Sequence, residues 1–170
     1  MGVFMLRRQE VRTQLPAHPP AQITVSTIEA PDWVNVLAFT PRGACLLVRQ
    51  FRFGIWGPTL EVPGGTIDEG ETPEEAAHRE LLEETGHQAG RMLPLGKIQP
   101  NPAVQNNCLH CYLALDCKQV HGGKADPFEE VILETFPASQ LPLLVQEGHI
   151  QNALVIATLH LGALSGLVPL

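Results

Sequence analysis

The chain has 170 residues, of which 44% are hydrophobic and 17% charged, so it is long enough and apolar enough to bury one compact core. No apolar run approaches the roughly 18 residues of a membrane-spanning helix, which argues against a membrane protein. The formal net charge is −7, without any block of lysine or arginine, which argues against nucleic acid as a partner. The N-terminal sequence MGVFMLRRQE lacks the apolar region of a secretory signal, so we expect a cytoplasmic protein.

Residues 1–22 are polar and rich in proline, which predicts a short N-terminal arm or edge strand followed by a globular domain of residues 23–170. From residue 23 onward, short β-rich runs alternate with turns, and Pro41-Arg42-Gly43 is typical of a hairpin turn. The candidate strands are 23–28, 33–40, 45–51, 97–98 and 109–115.

One helix has clear signals at both ends. Thr72 is a suitable N-cap, Pro73 suits the first helical position, and Glu75 completes a capping box. Gly86 supplies the C-terminal stop, so the sequence predicts a helix over residues 73–85. Weaker helical patterns occur at 141–147 and 152–164. Short strands mixed with a few helices indicate an α+β domain with helices on both sides of a sheet.

The four cysteines raise the question of a zinc site. The spacing Cys108-Leu-His-Cys111 suggests a ligand set of Cys108, His110, Cys111 and Cys117. The segment is, however, a predicted strand, in which neighbouring side chains point to opposite faces and cannot share one metal. We therefore expect reduced thiols, as is usual for a cytoplasmic protein.

Three glutamates on the predicted helix form a carboxylate cluster. Glu80, Glu83 and Glu84 have the spacing i, i+3 and i+4, which brings them within one arc of the helix surface. A helix with such glutamates often does no more than face water. Here the helix follows the glycine-rich turn Glu61-Val62-Pro63-Gly64-Gly65, which permits close approach of a ligand to the backbone. An all-oxygen cluster in this setting suits a hard cation such as Mg²⁺ or Mn²⁺.

The spacing of these residues resembles the signature of the Nudix hydrolase family, G-x5-E-x7-R-E-U-x-E-E-x-G-U. The pattern runs from Gly65 through Glu71 to Arg79-Glu80-Leu81-Leu82-Glu83-Glu84-Thr85-Gly86, and every charged and glycine position fits. One position departs, because His87 stands where the family prefers an aliphatic residue. The resemblance implies the Nudix α/β/α sandwich, a mixed central sheet flanked by helices.

The same resemblance implies roles for the residues of the signature. Glu83 and Glu84 would be the principal Mg²⁺ ligands, with Glu80 and the carbonyl of Gly64 completing the metal site. Arg79 would orient a helix carboxylate by a charge-assisted hydrogen bond. Glu71 would brace the loop onto the helix. Hydrolysis of a phosphoanhydride bond in a nucleoside diphosphate would follow.

Sequences outside the signature are similar to the subgroup of ADP-ribose and nucleoside-diphosphate-sugar pyrophosphatases. Pro102 lies near the sequence position at which the ADP-ribose branch has a marker proline. Arg49 and Arg52 are candidates to contact phosphate. Alternation along a strand places them on opposite faces, so only one is expected to make a direct contact. Arg52 is favoured because it lies nearer the loop. Trp33 either stacks on a nucleobase or packs at the start of its strand. Trp56 is expected at a substrate wall or a dimer contact.

The catalytic base is expected on a loop after the sheet, where the family often has a Glu in an acidic D-E-x-E pattern. The matching segment is Ala125-Asp126-Pro127-Phe128-Glu129-Glu130, in which Pro127 replaces the first Glu. Glu129 is the favoured base and Glu130 the second choice, while a solvated acidic turn is the alternative without a function.

Three functions are consistent with these residues. The favoured one is Mg²⁺-dependent cleavage of ADP-ribose or a related nucleotide sugar to a nucleoside monophosphate and a sugar phosphate. The second is hydrolysis of dinucleoside polyphosphates or nucleoside triphosphates. The third is a non-catalytic sensor of nucleotide sugars, against which the intact glutamate cluster argues. A homodimer is expected because the subgroup commonly pairs through N-terminal strands.

Overall fold

The computed structural model describes residues 4–14, 18–120 and 131–168. None of the helices in these ranges is long and apolar enough to cross a membrane. The strands of the described ranges are β1 (Met5–Thr13), β2 (Ala21–Glu29), β3 (Trp33–Phe39), β4 (Ala44–Arg52), β5 (Gly57–Glu61), β6 (Gly64–Thr66), β7 (His87–Gln88), β8 (Arg91–Ile98), β9 (Leu109–Leu115), β10 (Lys118–Gln119) and β11 (Ile132–Pro137). The helices are α1 (Pro73–Thr85), α2 (Leu141–Gln146) and α3 (Ala153–Ser165).

A mixed sheet forms the centre of the domain, in the order β11-β4-β3-β9-β8. The β3 and β9 strands are parallel, whereas the other pairs in this sheet are antiparallel. The β3 and β4 strands pair only at Ala38–Leu46 and Phe39–Cys45 and then separate. The short strands β5 and β6 fill the opening, β5 along β4 and β6 along β3. This splayed end of the sheet holds the candidate site.

Helices cover both faces of the sheet because β3 and β9 are apolar on both faces. Val36, Leu46 and Tyr112 pack towards α1, together with the helix residues Ala76 and Leu81. On the other face, a larger core packs against α2 and α3; its buried members include Leu37, Leu47, Leu113, Leu141, Val155 and Leu159. The expected α+β sandwich is confirmed.

The N-terminal strand is longer than a short arm. The β1 and β2 strands pair along their whole length, from Met5–Glu29 to Thr13–Ala21, and form a two-stranded sheet of their own. The boundary expected after residue 22 thus falls inside β2. The hairpin joins the rest of the domain near Ile28, whose N–H donates to the carbonyl of Val104 at 2.7 Å. Most of its side chains are exposed.

Candidate active site

The β6 strand approaches both β3 and α1 so closely that it requires glycine. A side chain at Gly64 would collide with the carbonyl of Val34 and with Asn35. One at Gly65 would collide with the carboxylate of Glu80. The two glycines therefore let the β6 backbone lie directly against the carboxylate helix.

The α1 helix has the caps that the sequence predicts. The N–H of Glu75 donates to the Thr72 hydroxyl at 3.3 Å, and the N–H of Thr72 donates to the Glu75 carboxylate at 2.8 Å. Gly86 ends the helix in the left-handed region, with a φ of 69°. Ala76, Ala77 and Leu81 are buried on the inner face of the helix. Glu80 and Glu84 border this face and are partly buried, whereas Glu83 is exposed.

Arg79 joins the loop to the carboxylates of the helix. Its guanidinium donates to both oxygens of Glu71, each at 2.9 Å, and to the carbonyl of Thr66 at 2.9 Å. On its other side it donates to Glu80 at 2.7 Å and to Glu83 at 3.3 Å. These contacts lower the pKa of the Glu71 carboxyl and raise that of Arg79. One side chain thus fixes the relative positions of three carboxylates.

The three glutamates of the cluster have different surroundings. Glu80 is mostly buried, which raises its pKa despite the hydrogen bond from Arg79, and the nearby charges of Glu83 and Glu71 raise it further. The side chain of Glu83 is 51% exposed. Glu84 accepts a hydrogen bond from the N–H of Gly64 at 2.9 Å. This accumulation of negative charge in a partly buried setting suits a cation.

The cluster is not arranged as a closed coordination shell. Within the described ranges, no three His, Cys, Asp or Glu side chains converge on one point as metal ligands do. Glu80 and Glu83 contact Arg79, whereas Glu84 contacts the β6 backbone. The all-oxygen donors of the cluster are nevertheless of the kind that hard cations prefer.

A cavity of about 360 Å³ opens beside the cluster, on the other side of the Gly64–Gly65 backbone. Its volume lies within the range of small-molecule sites. Its lining comes from β3, β4, β5, β6, β9, the start of α3 and the N-terminal Phe4. The polar lining residues are Asn35, Arg52, Glu61, Thr66 and Asn152.

Glu61 is a buried carboxylate at the end of β5, with only 4% of its surface exposed. Arg52 donates to both of its oxygens, at 3.0 and 2.8 Å, and the Thr59 hydroxyl lies 2.7 Å from one of them. Burial alone would raise the pKa of Glu61, but the hydrogen bonds from Arg52, Thr59 and Asn152 outweigh it and hold the pKa below its ordinary value. Glu61 is therefore ionised at neutral pH.

The residues that the sequence offers as substrate contacts lie in different places. Trp33 and Arg52 line the cavity, and the Trp33 ring packs edge-on against Phe4 with centroids 6.2 Å apart. Arg49 is bound by both oxygens of Glu134 on β11 and is not among the described residues that line the cavity. Pro102 is exposed in the turn between β8 and β9. Glu129 and Glu130 lie outside the described residues.

The sequence does not reveal two polar residues of the cavity, Asn35 and Asn152, nor Thr59, which bonds the cavity residue Glu61. The Asn35 side chain donates to the Thr158 hydroxyl at 3.0 Å, and Asn152 caps α3 through the N–H of Leu154 at 2.9 Å. Thr59 is on β5, a strand that the sequence reasoning did not identify. An asparagine before an apolar helical run is a cap signal that predicts the start of α3, but it does not reveal the neighbouring cavity.

The residues of the suggested zinc set point in different directions. His110 lies 2.9 Å from the Asp32 carboxylate, on the α1 side of β9. The Cys111 thiol lies 3.4 Å from the Thr158 hydroxyl, on the α3 side. Cys117 is buried in the core beneath α1. His87, the departure from the signature, is buried, and its Nδ1 lies 2.7 Å from the carbonyl of Thr85.

Trp56 lies at the tip of the β4–β5 hairpin, where 77% of its surface is exposed. Its φ of 49° is in the left-handed region, which is unusual for a residue other than glycine. The ring contacts those of Phe51 and Phe53, with centroids 5.9 and 5.7 Å away. Two of these rings, Phe51 and Phe53, flank Arg52 in the sequence.

Comparison with known proteins agrees with this geometry. A family model described as the NUDIX domain matches residues 31–159. The chain is 36% identical over 87 residues to an ADP-ribose pyrophosphatase of Bacillus subtilis (strain 168), covering 51% of this chain and 47% of that protein. The chain thus spans about half the length of that relative. It is 29% identical over 158 residues to an ADP-ribose pyrophosphatase of Mycobacterium tuberculosis, covering 92% of this chain and 74% of that protein.

A solved structure described as an ADP compounds hydrolase has the same fold. It superposes with a TM-score of 0.80 at 22% sequence identity, and covers 95% of this chain and 88% of that one. The span matched by the family model contains the glycine turn, the carboxylate helix and, Phe4 apart, the cavity lining. The chain therefore belongs to the Nudix family.

Proposed function

We propose that the protein hydrolyses the diphosphate bond of ADP-ribose or a related nucleoside-diphosphate sugar, yielding a nucleoside monophosphate and a sugar phosphate. The main support is the position of the carboxylate cluster on α1, separated from the cavity by the backbone of two glycines. A substrate in this cavity would have its diphosphate close to the cluster. The names of the Bacillus and Mycobacterium relatives support the same substrate class.

The proposed cofactor is Mg²⁺, with Mn²⁺ as a substitute, held by Glu80, Glu83, Glu84 and the carbonyl of Gly64. Such an ion, when bound, neutralises diphosphate charge and lowers the pKa of coordinated water. Arg79 keeps the glutamates in position through its contacts to Glu80 and Glu83. The carboxylates supply the negative charge that the cation needs.

The chain's other residues bind the substrate and handle the proton. Arg52 is the proposed contact to the diphosphate, because this residue lines the cavity and carries a positive charge that attracts phosphate. Trp33 is the proposed wall for the base or ribose. Glu129 is the proposed base that takes a proton from the attacking water. Replacing Glu129 by Gln should lower kcat with little effect on KM, and an unchanged kcat would exclude this role.

A substrate panel with Mg²⁺ tests the proposal directly. Release of nucleoside monophosphate would be followed by chromatography with ADP-ribose, UDP- and GDP-sugars, a dinucleoside polyphosphate and the dNTPs. We expect the nucleotide sugars to give the highest kcat/KM. Turnover confined to triphosphates or dinucleoside polyphosphates would assign the second function, and tight ADP-ribose binding without turnover would assign the sensor.

The metal site has its own test, with a control on the same helix. Glu83→Gln and Glu84→Gln should each lower kcat at least tenfold because a metal ligand is lost. Glu74→Gln removes the same charge from an exposed position of the same helix outside the cluster and should leave kcat unchanged. Full activity of the Glu83 and Glu84 variants would refute the metal site.

A homodimer is part of the proposal. The β1–β2 hairpin exposes Phe4, Met5, Leu6 and Ile23. A two-stranded hairpin without cover is marginally stable in water. A second copy of the chain would bury these side chains, and Phe4 already lies at the cavity. The dimer contact would thus be continuous with the substrate site.

A further inference from the structure

The buried Glu61 carboxylate accepts hydrogen bonds from several side chains. It is almost completely buried, yet it receives bonds from three side chains on three different elements: Arg52 on β4, Thr59 on β5 and Asn152 before α3. A buried carboxylate costs free energy unless it is fully paired. Its partners therefore define one fixed orientation of the Glu61 side chain.

Asn152 links this carboxylate to α3. The Asn152 side-chain oxygen accepts the hydrogen bond from the N–H of Leu154, so its amide group is the part that can donate to Glu61. The side chain thus caps the helix and holds Glu61 at the same time. The position of Glu61 is consequently set by the sheet and by the helix that closes the cavity.

Of these three described partners of Glu61, Arg52 carries the positive charge. Its side chain is 44% exposed, lines the cavity and is held by two hydrogen bonds to a carboxylate that is 6% exposed. An arginine side chain loses much rotational freedom when it is bound in this way. A guanidinium has donors on more than one edge and can bind a carboxylate and a phosphate simultaneously.

The same strand offers an internal comparison. Arg49 and Glu134 form a second two-bond arginine–carboxylate pair, with side chains 37% and 29% exposed. That pair lies away from the cavity, and neither residue lines it. The Arg52–Glu61 pair thus differs from the Arg49–Glu134 pair in two respects: its carboxylate is buried, and its arginine lines the cavity.

We propose that Glu61 is a positioning residue for substrate binding, which holds the Arg52 guanidinium in the orientation that contacts the diphosphate of the substrate. This inference rests on the proposed function for the identity of the substrate. Glu61 acts only through Arg52 and does not touch the reacting atoms. Its effect is therefore on affinity, shared by the ground state and the transition state.

Steady-state kinetics with ADP-ribose separates positioning from a structural role. Glu61→Gln keeps the shape of the side chain but removes its charge, so we expect KM to rise about tenfold while kcat changes less than twofold. Thr59→Val removes one hydrogen bond to Glu61 and should raise KM less; it serves if the Glu61 variant folds poorly. Glu134→Gln breaks the matched pair on the same strand and should leave KM unchanged.

A double-mutant cycle tests whether Glu61 acts through Arg52. If it does, adding Glu61→Gln to Arg52→Ala should not raise KM beyond the value for Arg52→Ala alone. Independent, multiplicative effects on KM would overturn the proposal. A loss of thermal stability in Glu61→Gln with KM unchanged would reduce Glu61 to a structural residue and also overturn it.

Equilibrium binding distinguishes failure of this inference from failure of the proposed function. ADP-ribose would be titrated calorimetrically into each variant with Ca²⁺ in place of Mg²⁺. If the wild-type protein hydrolyses no nucleotide sugar but binds ADP-ribose more tightly than Glu61→Gln does, the positioning role is kept and the proposed function is rejected. Hydrolysis of nucleotide sugars by the wild-type protein, with equal ADP-ribose affinity in wild type and Glu61→Gln, would keep the proposed function and reject the positioning role. Absence of ADP-ribose binding by the wild-type protein would reject both.

Discussion

The Arg79 side chain connects the loop, the helix and two glutamates of the cluster. Its planar guanidinium bonds Glu71, Glu80, Glu83 and the carbonyl of Thr66 at once, a geometry that a lysine ammonium cannot reproduce. We therefore expect Arg79→Lys to lower the apparent affinity for Mg²⁺ tenfold or more, by the roughly 10- to 100-fold cost of losing such support. The measurement is the Mg²⁺ dependence of the hydrolysis rate.

The control for Arg79 is Arg91, which pairs with Asp116 in an exposed setting at 3.3 Å. Exposed pairs of this kind contribute little. Arg91→Lys should leave the Mg²⁺ dependence unchanged. Equal behaviour of the two variants would show that the contacts of Arg79 do not organise the cluster.

Glu61 also links stability to pH. Because its pKa is lowered in the folded protein, the ionised form stabilises the fold above the ordinary value of 4.5, and this stabilisation is lost as the pH falls through the folded pKa. Glu61→Gln should be less stable than wild type by about 2 kcal/mol at pH 7, the scale of hydrogen bonds to a charged group. The difference in unfolding free energy between the two proteins should be smaller at pH 4 than at pH 7, as measured by urea unfolding. A difference independent of pH would contradict the assignment of Glu61 as ionised.

At the scale of elements, α1 depends on its capping box. Thr72→Ala removes the hydroxyl that accepts the N–H of Glu75, which should cost about 1 kcal/mol and lower Tm by about 3 °C. Thermal unfolding followed by circular dichroism measures this shift. Ser26→Ala, in an exposed part of β2, is the control and should change Tm little. An unchanged Tm for the Thr72 variant would mean that packing alone sets the start of the helix.

Elements with local signals could be predicted from the sequence, and elements formed by pairing could not. The bounds of α1 are as predicted because caps and proline act within one turn, and β9 is as predicted because its residues are apolar and β-forming. The β5 and β11 strands were not identified. The GPTLE sequence of β5 begins with two turn residues, and both strands take their conformation from pairing with β4.

The candidate site divides in the same way. The glutamates of α1 are close together because they share one helix, so their spacing is readable along the chain. Asn35 and Asn152 come from distant positions and meet only when β3 and α3 are packed together. The contacts of Arg49 and Arg52 with different glutamates likewise depend on which strand lies beside each arginine.

At the scale of the whole molecule, the N-terminal hairpin determines the expected assembly. Leu6 is 74% exposed on β1, where the proposed second copy would cover it. We expect Leu6→Glu to convert a dimer into a monomer, because a charge in an apolar contact is costly to bury. Sedimentation of both proteins measures the change. Leu164→Glu, at a comparably exposed position of α3, should remain dimeric; a monomeric wild-type protein would reject the assembly.

The parallel pairing of β3 with β9 has a consequence for synthesis on the ribosome. The carboxylate helix is complete at Thr85, but the β9 partner of β3 begins only at Leu109, and Asn152 comes later still. Long-range pairings of this kind form slowly, and a chain emerges N-terminus first. A nascent chain that has released α1 therefore carries the glutamates without the cavity. The lining of the cavity is complete only after translation has passed the start of α3.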